Sequence, residues 1–420
     1  MFSSPRLRRW LLPLLVVVLL IFDLLIAYQI PSIHDRLAWR LDVYGAEVRR
    51  FLFSQPDTLP TPDPRAVESA RATLSALAPT PSATAQATAA APTPLPSPTF
   101  APLPAAVVLD PPRYEKQLFN NCGPATLSMT LRYWGWTGSQ VDTAAALKPM
   151  QNDRNVMPYE LARYVLDHTG FAVVIRSAGT LTDLKRLIAA GFPPIVEKGF
   201  NESDVEKKYG WMGHYNLLTG YDDVAGQFTV QDSFLGPDHA VGYEAMLSGW
   251  RAFNYIYLVV YPPERREEVV RLLGPSADED YNQALATENA RSETSLFTGQ
   301  DLAFAWFNLG TSLVNVNDYG PASLAFDEAR YAGLPWRMLW YQTGPYFAYF
   351  YSGRYQEVID LADQVLNQRD DLEESWYWRG MARLALGETQ AAIDDLRTAL
   401  AKHPGFPPAV VKLQELGELP

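Results

Sequence analysis

The chain has 420 residues, 48% hydrophobic and 20% charged, with 35 basic against 47 acidic side chains and a formal charge of −12. That length suits two or three domains, the apolar content excludes wholesale disorder, and the acidic balance argues against nucleic acid as the main partner. The excess is localised, because from residue 264 onward 13 Lys/Arg stand against 24 Asp/Glu.

Arg6, Arg8 and Arg9 precede an apolar stretch from Trp10 to Tyr28, interrupted by Pro13 and Asp23. As a helix it would be about 28 Å long, close to the hydrocarbon thickness of a bilayer. Residues 1–28 are therefore expected to be a cytoplasmic tip and single-pass transmembrane anchor in the cell membrane. The leading arginines leave the rest of the chain extracytoplasmic, and a cleaved signal peptide is the alternative. Residues 29–53 mix Leu37, Leu41, Val48, Phe51 and Leu52 with Arg36, Arg40, Arg49 and Arg50, the pattern of an amphipathic juxtamembrane helix. Residues 54–104 hold 12 of the 33 prolines, with Thr, Ser and Ala filling most of the remainder. That composition buries too little apolar surface to offset chain entropy and predicts a disordered linker.

From 105 to 263 helical and strand-like runs are mixed. Apolar spacing predicts helices over Ala125–Tyr133, Pro158–Asp167 and Leu181–Ala189. Short β-branched or aromatic runs predict strands at 171–176, 194–196, 215–221, 228–231 and 255–261. Helices come first and strands cluster late, so the domain is expected to be α+β. From 275 to 420 the pattern is all helical and repetitive. Asp318-Tyr319-Gly320-Pro321-Ala322 aligns with Arg354-Tyr355-Gln356-Glu357-Val358 and with Glu388-Thr389-Gln390-Ala391-Ala392. With Gly310, Ala348 and Ala382 as close-packing positions, the region resembles tetratricopeptide repeats, an all-α solenoid. A generic helical bundle is the plainer reading.

Cys122 is the single cysteine, which rules out an intrachain disulfide and a multi-cysteine metal site. It precedes Gly123-Pro124, and proline suits the first turn of a helix, so Cys122 is expected at a helix start, where the dipole favours a thiolate. A buried, inert thiol is the ordinary alternative. Of five histidines, His214 directly opens an apolar strand, whereas His34 and His403 belong to other regions and His168 and His239 read as cap and loop residues. A hairpin symmetric about residue 223 would set His214 opposite Asp232, which could orient the imidazole. Gln117, five residues before the cysteine, could donate an amide to an oxyanion. A metal site on His214 and Asp232 lacks further spaced ligands, so no metal or cofactor is expected.

Gln117, Asn121-Cys122-Gly123-Pro124-Ala125, Gly213-His214, Gly220-Tyr221-Asp222 and Gln231-Asp232-Ser233 together resemble a papain-like cysteine peptidase domain. The closest kind is the bacteriocin-processing, double-glycine leader peptidase, in which an N-terminal helix packs on an antiparallel sheet. The resemblance implies Cys122 as nucleophile, His214 as base, Asp232 as orienter and Gln117 as oxyanion donor. The exporter-type motif usually sets its glutamine six residues before the cysteine, and here the separation is five. No Gly-rich Lys-Ser/Thr phosphate loop is found, so cleavage during export is not implied. The expectation is a membrane-anchored extracytoplasmic cysteine peptidase, or acyl transferase, acting on a peptide or protein, with repeats that recruit a protein partner. The alternative is an inactive surface scaffold whose repeats bind proteins. The two halves are expected to be separable, with the thiol chemistry surviving loss of 275–420.

Overall fold

The computed structural model describes residues 5–30, 33, 37, 41, 58–77, 100, 102–150, 153, 155–200 and 210–419. The chain divides into two units, Met1–Gln55 and Pro56–Pro420. The first contains α1 (Pro5–Tyr28). Among the described residues no helix is long and apolar enough to cross a membrane, which departs from the span expected over 10–28. The juxtamembrane helix expected over 29–53 and most of the linker expected over 54–104 lie outside the described residues.

Part of that linker is ordered. Thr58 forms a β-bridge with Pro335, and the Leu59 amide donates to the Leu334 carbonyl at 2.9 Å. α2 (Pro64–Leu77) follows and buries Val67. The proline content pointed to an extended spacer, but Pro64 occupies the first helical turn, where a missing N–H costs nothing. The Arg330 guanidinium donates to the Pro60 carbonyl at 2.8 Å, and Arg71 pairs with Glu328.

The α+β region carries a seven-stranded antiparallel sheet. Its strands are β1 (Ala106–Val108), β2 (Ala172–Arg176), β3 (Ile195–Gly199), β4 (Gly213–Asp222), β5 (Gln227–Asp232), β6 (Gly236–Gly242) and β7 (Tyr257–Tyr261). The order is β2-β7-β3-β4-β5-β6, with β1 also paired to β4. Gly220 permits this extra pairing, because a Cβ there would stand 2.9 Å from the Val107 carbonyl oxygen. α3 (Cys122–Tyr133), α4 (Gln140–Leu147) and α5 (Pro158–His168) cover one face. There Leu127, Leu131, Leu161, Ile195, Leu217 and Val260 are fully buried, each contributing on the order of 1.5–3 kcal/mol by leaving water. α6 (Leu181–Ala189), α7 (Tyr243–Arg251) and α8 (Arg266–Leu273) pack on the other face, around Val196, Leu218, Phe228 and Trp250. β6 was read as a loop because of Gly236-Pro237-Asp238; it lies at the sheet edge, where proline costs no ladder bond.

The C-terminal region is helical. α9 (Glu279–Glu293) leads into three hairpins: α10 (Gly299–Asn315) with α11 (Tyr319–Ala332), α12 (Gly344–Tyr351) with α13 (Tyr355–Gln368), and α14 (Glu373–Ala385) with α15 (Thr389–Lys402). α16 (Pro407–Glu415) closes the stack. The small residues lie where close approach was expected: a Cβ on Gly310 would meet the Phe326 ring at 2.7 Å. This region shares part of its core with the sheet region. Trp211, Ala252 and Phe253 of the sheet region share one hydrophobic cluster with Phe304, Phe307, Tyr341 and Tyr346. The Trp211 ring stacks on Phe253 and meets Tyr341 edge-on, with centroids 6.0 and 5.7 Å apart.

Candidate active site

Cys122 is the first residue of α3, as its Gly-Pro successor predicts, and is partly buried. Asn120, two residues before it, takes a left-handed conformation with φ 53°, a region asparagine tolerates better than most residues. The approach loop is fixed by one buried side chain, Gln140 of α4. Its Oε1 accepts from the Leu118 amide at 2.7 Å and from Asn121 Nδ2 at 2.9 Å, while its Nε2 donates to the Lys116 carbonyl. Lys148 adds a charge at the same place, donating from Nζ to the Asn120 carbonyl at 2.7 Å.

His214 is the second residue of β4 and is 3% exposed. Its position depends on Gly213, where a Cβ would stand 2.7 Å from the Phe253 ring and 2.8 Å from Tyr341. Its Nε2 lies 3.0 Å from Asp232 Oδ1, and its ring packs on Phe200. The hairpin register differs from the one expected. Asp222 pairs with Gln227, a bulge follows between Leu218 and Gly220, and Leu217 then pairs with Gln231. That sequence brings Asn216 to Asp232, and Asn216 Nδ2 donates to Asp232 Oδ2 at 2.8 Å. His214 lies two residues further along the same face and still reaches Oδ1. Asp232 also accepts at Oδ1 from the Phe234 and Leu235 amides, at 2.8 and 2.9 Å.

These contacts set the charges. Burial would raise the Asp232 pKa, but the His214 charge and hydrogen bond, the Leu235 amide and Asn216 bring the carboxyl well below its ordinary value. Burial would lower the His214 pKa, but Asp232 and a hydrogen bond to Cys122 push it up to about 9. For Cys122, burial opposes ionisation. The His214 hydrogen bond and charge, the Tyr215 backbone N–H and the Lys148 charge outweigh it and lower the thiol pKa. The arrangement favours a thiolate–imidazolium pair held by a carboxylate.

Gln117 takes a defined position. Its amide donates to the Ser233 carbonyl at 2.9 Å, and its side-chain Oε1 accepts from the Ser233 hydroxyl at 2.9 Å, which turns its NH2 group away from Ser233. The structure therefore joins Cys122, His214 and Asp232 directly and sets Gln117 against the residue after Asp232.

Sequence reasoning missed Asn216, Gln140, Lys148 and Glu197. Asn216 had a signal, an amide two residues after His214 in an otherwise apolar strand. Glu197 had one too, a carboxylate in the run Pro194-Ile195-Val196. Glu197 is 1% exposed, pairs across the sheet with Tyr215, and has an Oε1 without a hydrogen-bond partner. Burial first, and the Cys122 charge second, push its pKa well above the carboxylate range.

Residues 108–257 match the model of the Peptidase_C39 like family. No curated protein matches the chain. Among solved structures, a C39-like peptidase structure from Bacillus anthracis is 18% identical, with TM-score 0.31, covering 37% of this chain and 96% of its own. A double glycine motif protease from an AMS/PCAT transporter, in complex with the leader peptide, is 17% identical, with TM-score 0.28, covering 37% and 94%. Residues 108–257 thus form a Peptidase_C39-like domain with an antiparallel sheet, followed by a helical C-terminal region.

Proposed function

We propose that the chain is a thiol peptidase that cleaves a peptide or related amide bond with Cys122 as nucleophile, His214 as general base and acid, and Asp232 as orienter. The observation that carries this reading is the hydrogen-bonded series from Cys122 through His214 to Asp232 at the start of α3. The thiol proton passes to His214, and the thiolate attacks the scissile carbonyl carbon. Gln117 donates its side-chain amide to the oxyanion that forms. The tetrahedral intermediate collapses, His214 returns its proton to the departing amine, and an acyl thioester remains on Cys122. His214 then deprotonates a water molecule, which attacks the thioester, releases the acid and restores the thiol. An amine in place of that water would give acyl transfer by the same steps.

Two wider parts belong to the same proposal. The arginine-led apolar stretch attaches the chain to the cell membrane with residues 29–420 outside the cytoplasm. The C-terminal hairpins act as tetratricopeptide repeats that engage a protein partner. The second reading is supported by second helices beginning at Tyr319, Tyr355 and Thr389, 36 and 34 residues apart. The chemistry is tested by labelling the full-length chain with a peptidyl electrophile beside Cys122→Ala and His214→Ala variants. Covalent labelling of the parent alone is expected, and equal labelling of the His214→Ala variant would remove the base assignment. A reporter active only in the cytoplasm, fused after Pro420, is expected to stay silent.

A further inference from the structure

We propose that Asp153, Glu373 and His403 form a binding site for a divalent transition cation, which ties the peptidase-like domain to the helical region. Asp153 lies between α4 and α5, Glu373 opens α14, and His403 caps α15. One ligand atom from each residue lies within 4.8 Å of the other two. His403 Nδ1 is 2.8 Å from Glu373 Oε1 and 4.0 Å from Asp153 Oδ2. Tetrahedral ligands around zinc stand roughly 3.3 Å apart, given metal–ligand bonds of about 2.0–2.1 Å, so only a small closure separates this trio from a coordination shell.

Two observations distinguish the trio from an ordinary surface cluster. Asp153 is 6% exposed, and its Oδ2 stands 4.0 Å from His403 Nδ1. Its Oδ1 accepts a 3.3 Å bond from the Asn155 amide. Second, Glu373 is as buried as Asp153, at 4% exposed, so the imidazole of His403 faces two carboxyl groups withdrawn from water on two different segments. A bound dication would neutralise the charge of that pair. The imidazole nitrogen selects a borderline metal such as zinc over calcium, which takes oxygen ligands. The site would also steady the stretch beginning at Lys148, whose ammonium holds the Asn120 carbonyl two residues before the nucleophile.

The test uses the full-length chain carrying Cys122→Ala, because the thiol and His214 would compete for zinc. After chelator treatment, equilibrium dialysis against Zn2+ should give one zinc per chain, and the melting temperature should rise by several degrees at a hundredfold excess over Kd. Adding His403→Ala should weaken zinc binding about tenfold or more. The isosteric Glu373→Gln variant should do the same, and it serves if loss of the imidazole impairs folding. Absence of stoichiometric zinc, undiminished binding in both variants, or a preference for calcium would each overturn the assignment.

Discussion

Asn216 donates to the Oδ2 of Asp232 at 2.8 Å, while His214, two residues away on the same strand, takes Oδ1. The carboxylate is thus held between two side chains of β4 and cannot turn without breaking one of these contacts. Replacing Asn216 with Ala leaves a buried carboxylate oxygen unsatisfied, at a cost of about 1–3 kcal/mol. The expected outcome is a fall in His214 pKa and slower Cys122 alkylation near pH 7, with partial rescue by Gln. An unchanged pH profile would assign Asn216 a packing role only.

The pH profile of the thiol tests the ion pair itself. With the Cys122 pKa lowered and the His214 pKa pushed up to about 9, more of the thiol is ionised at neutral pH than in an unpaired cysteine. Iodoacetamide alkylation should therefore rise less steeply between about pH 7 and 8 than for an ordinary thiol, which gains roughly tenfold per unit below its pKa. In His214→Ala the hydrogen bond and positive charge are gone and burial dominates, so the profile should shift to higher pH and the rate at pH 7 should drop by about tenfold or more.

Glu197 offers a stability measurement. Its folded pKa lies well above the unfolded value of 4.5, so the folded state holds a proton that the unfolded state releases. The stability linked to that proton is fully present below about pH 4.5 and is lost as pH rises toward the folded pKa. Glu197→Gln carries no such proton. Its advantage over the parent should grow from pH 4.5 upward by about 1.4 kcal/mol per unit, read from urea midpoints. A pH-independent difference would mean that Glu197 titrates normally.

Removal of 275–420 is expected to destabilise the peptidase-like domain, against the separability that the sequence suggested. Tyr341 is 8% exposed, contacts Trp211 and Phe253, and shields the Gly213 position before His214. Tyr341→Ala in the full chain should cost about 3 kcal/mol by opening a cavity there. Calorimetry should show one transition for 105–420 rather than two. Two separate transitions would show that the shared aromatic cluster does not couple the halves.

Local signals read well. Pro124 marked the start of α3, the apolar spacing marked α5 and α6, and repeated small residues marked the hairpins. Long-range register read less well. Symmetry about residue 223 set His214 opposite Asp232, but the turn is centred further along, with Asp222 opposite Gln227, and after a one-residue bulge near Thr219 the pairing stands two residues from the expected one. An error of two keeps the same sheet face, so Asp232 was still found while Asn216 was overlooked. The cluster between the halves had no local signature at all. Trp211, Phe253 and Tyr341 lie 130 positions apart at the extremes, and only the folded chain joins them. His403 reads from the sequence as part of the last helical repeat, away from Cys122, and only the folded chain brings Asp153 within 4.0 Å of it.

The docked segment from Thr58 to Leu77 has a consequence for how the chain holds together once cut. It grips the α10–α11 hairpin region through Leu59, Arg330 and the α2 face rather than through the peptide bond alone. A protease that cut anywhere within 78–99 would sever the covalent route to the N-terminus, yet both fragments would stay clasped until unfolding separated them. Separation of the two fragments would then follow the opening of that clasp, not the cleavage event.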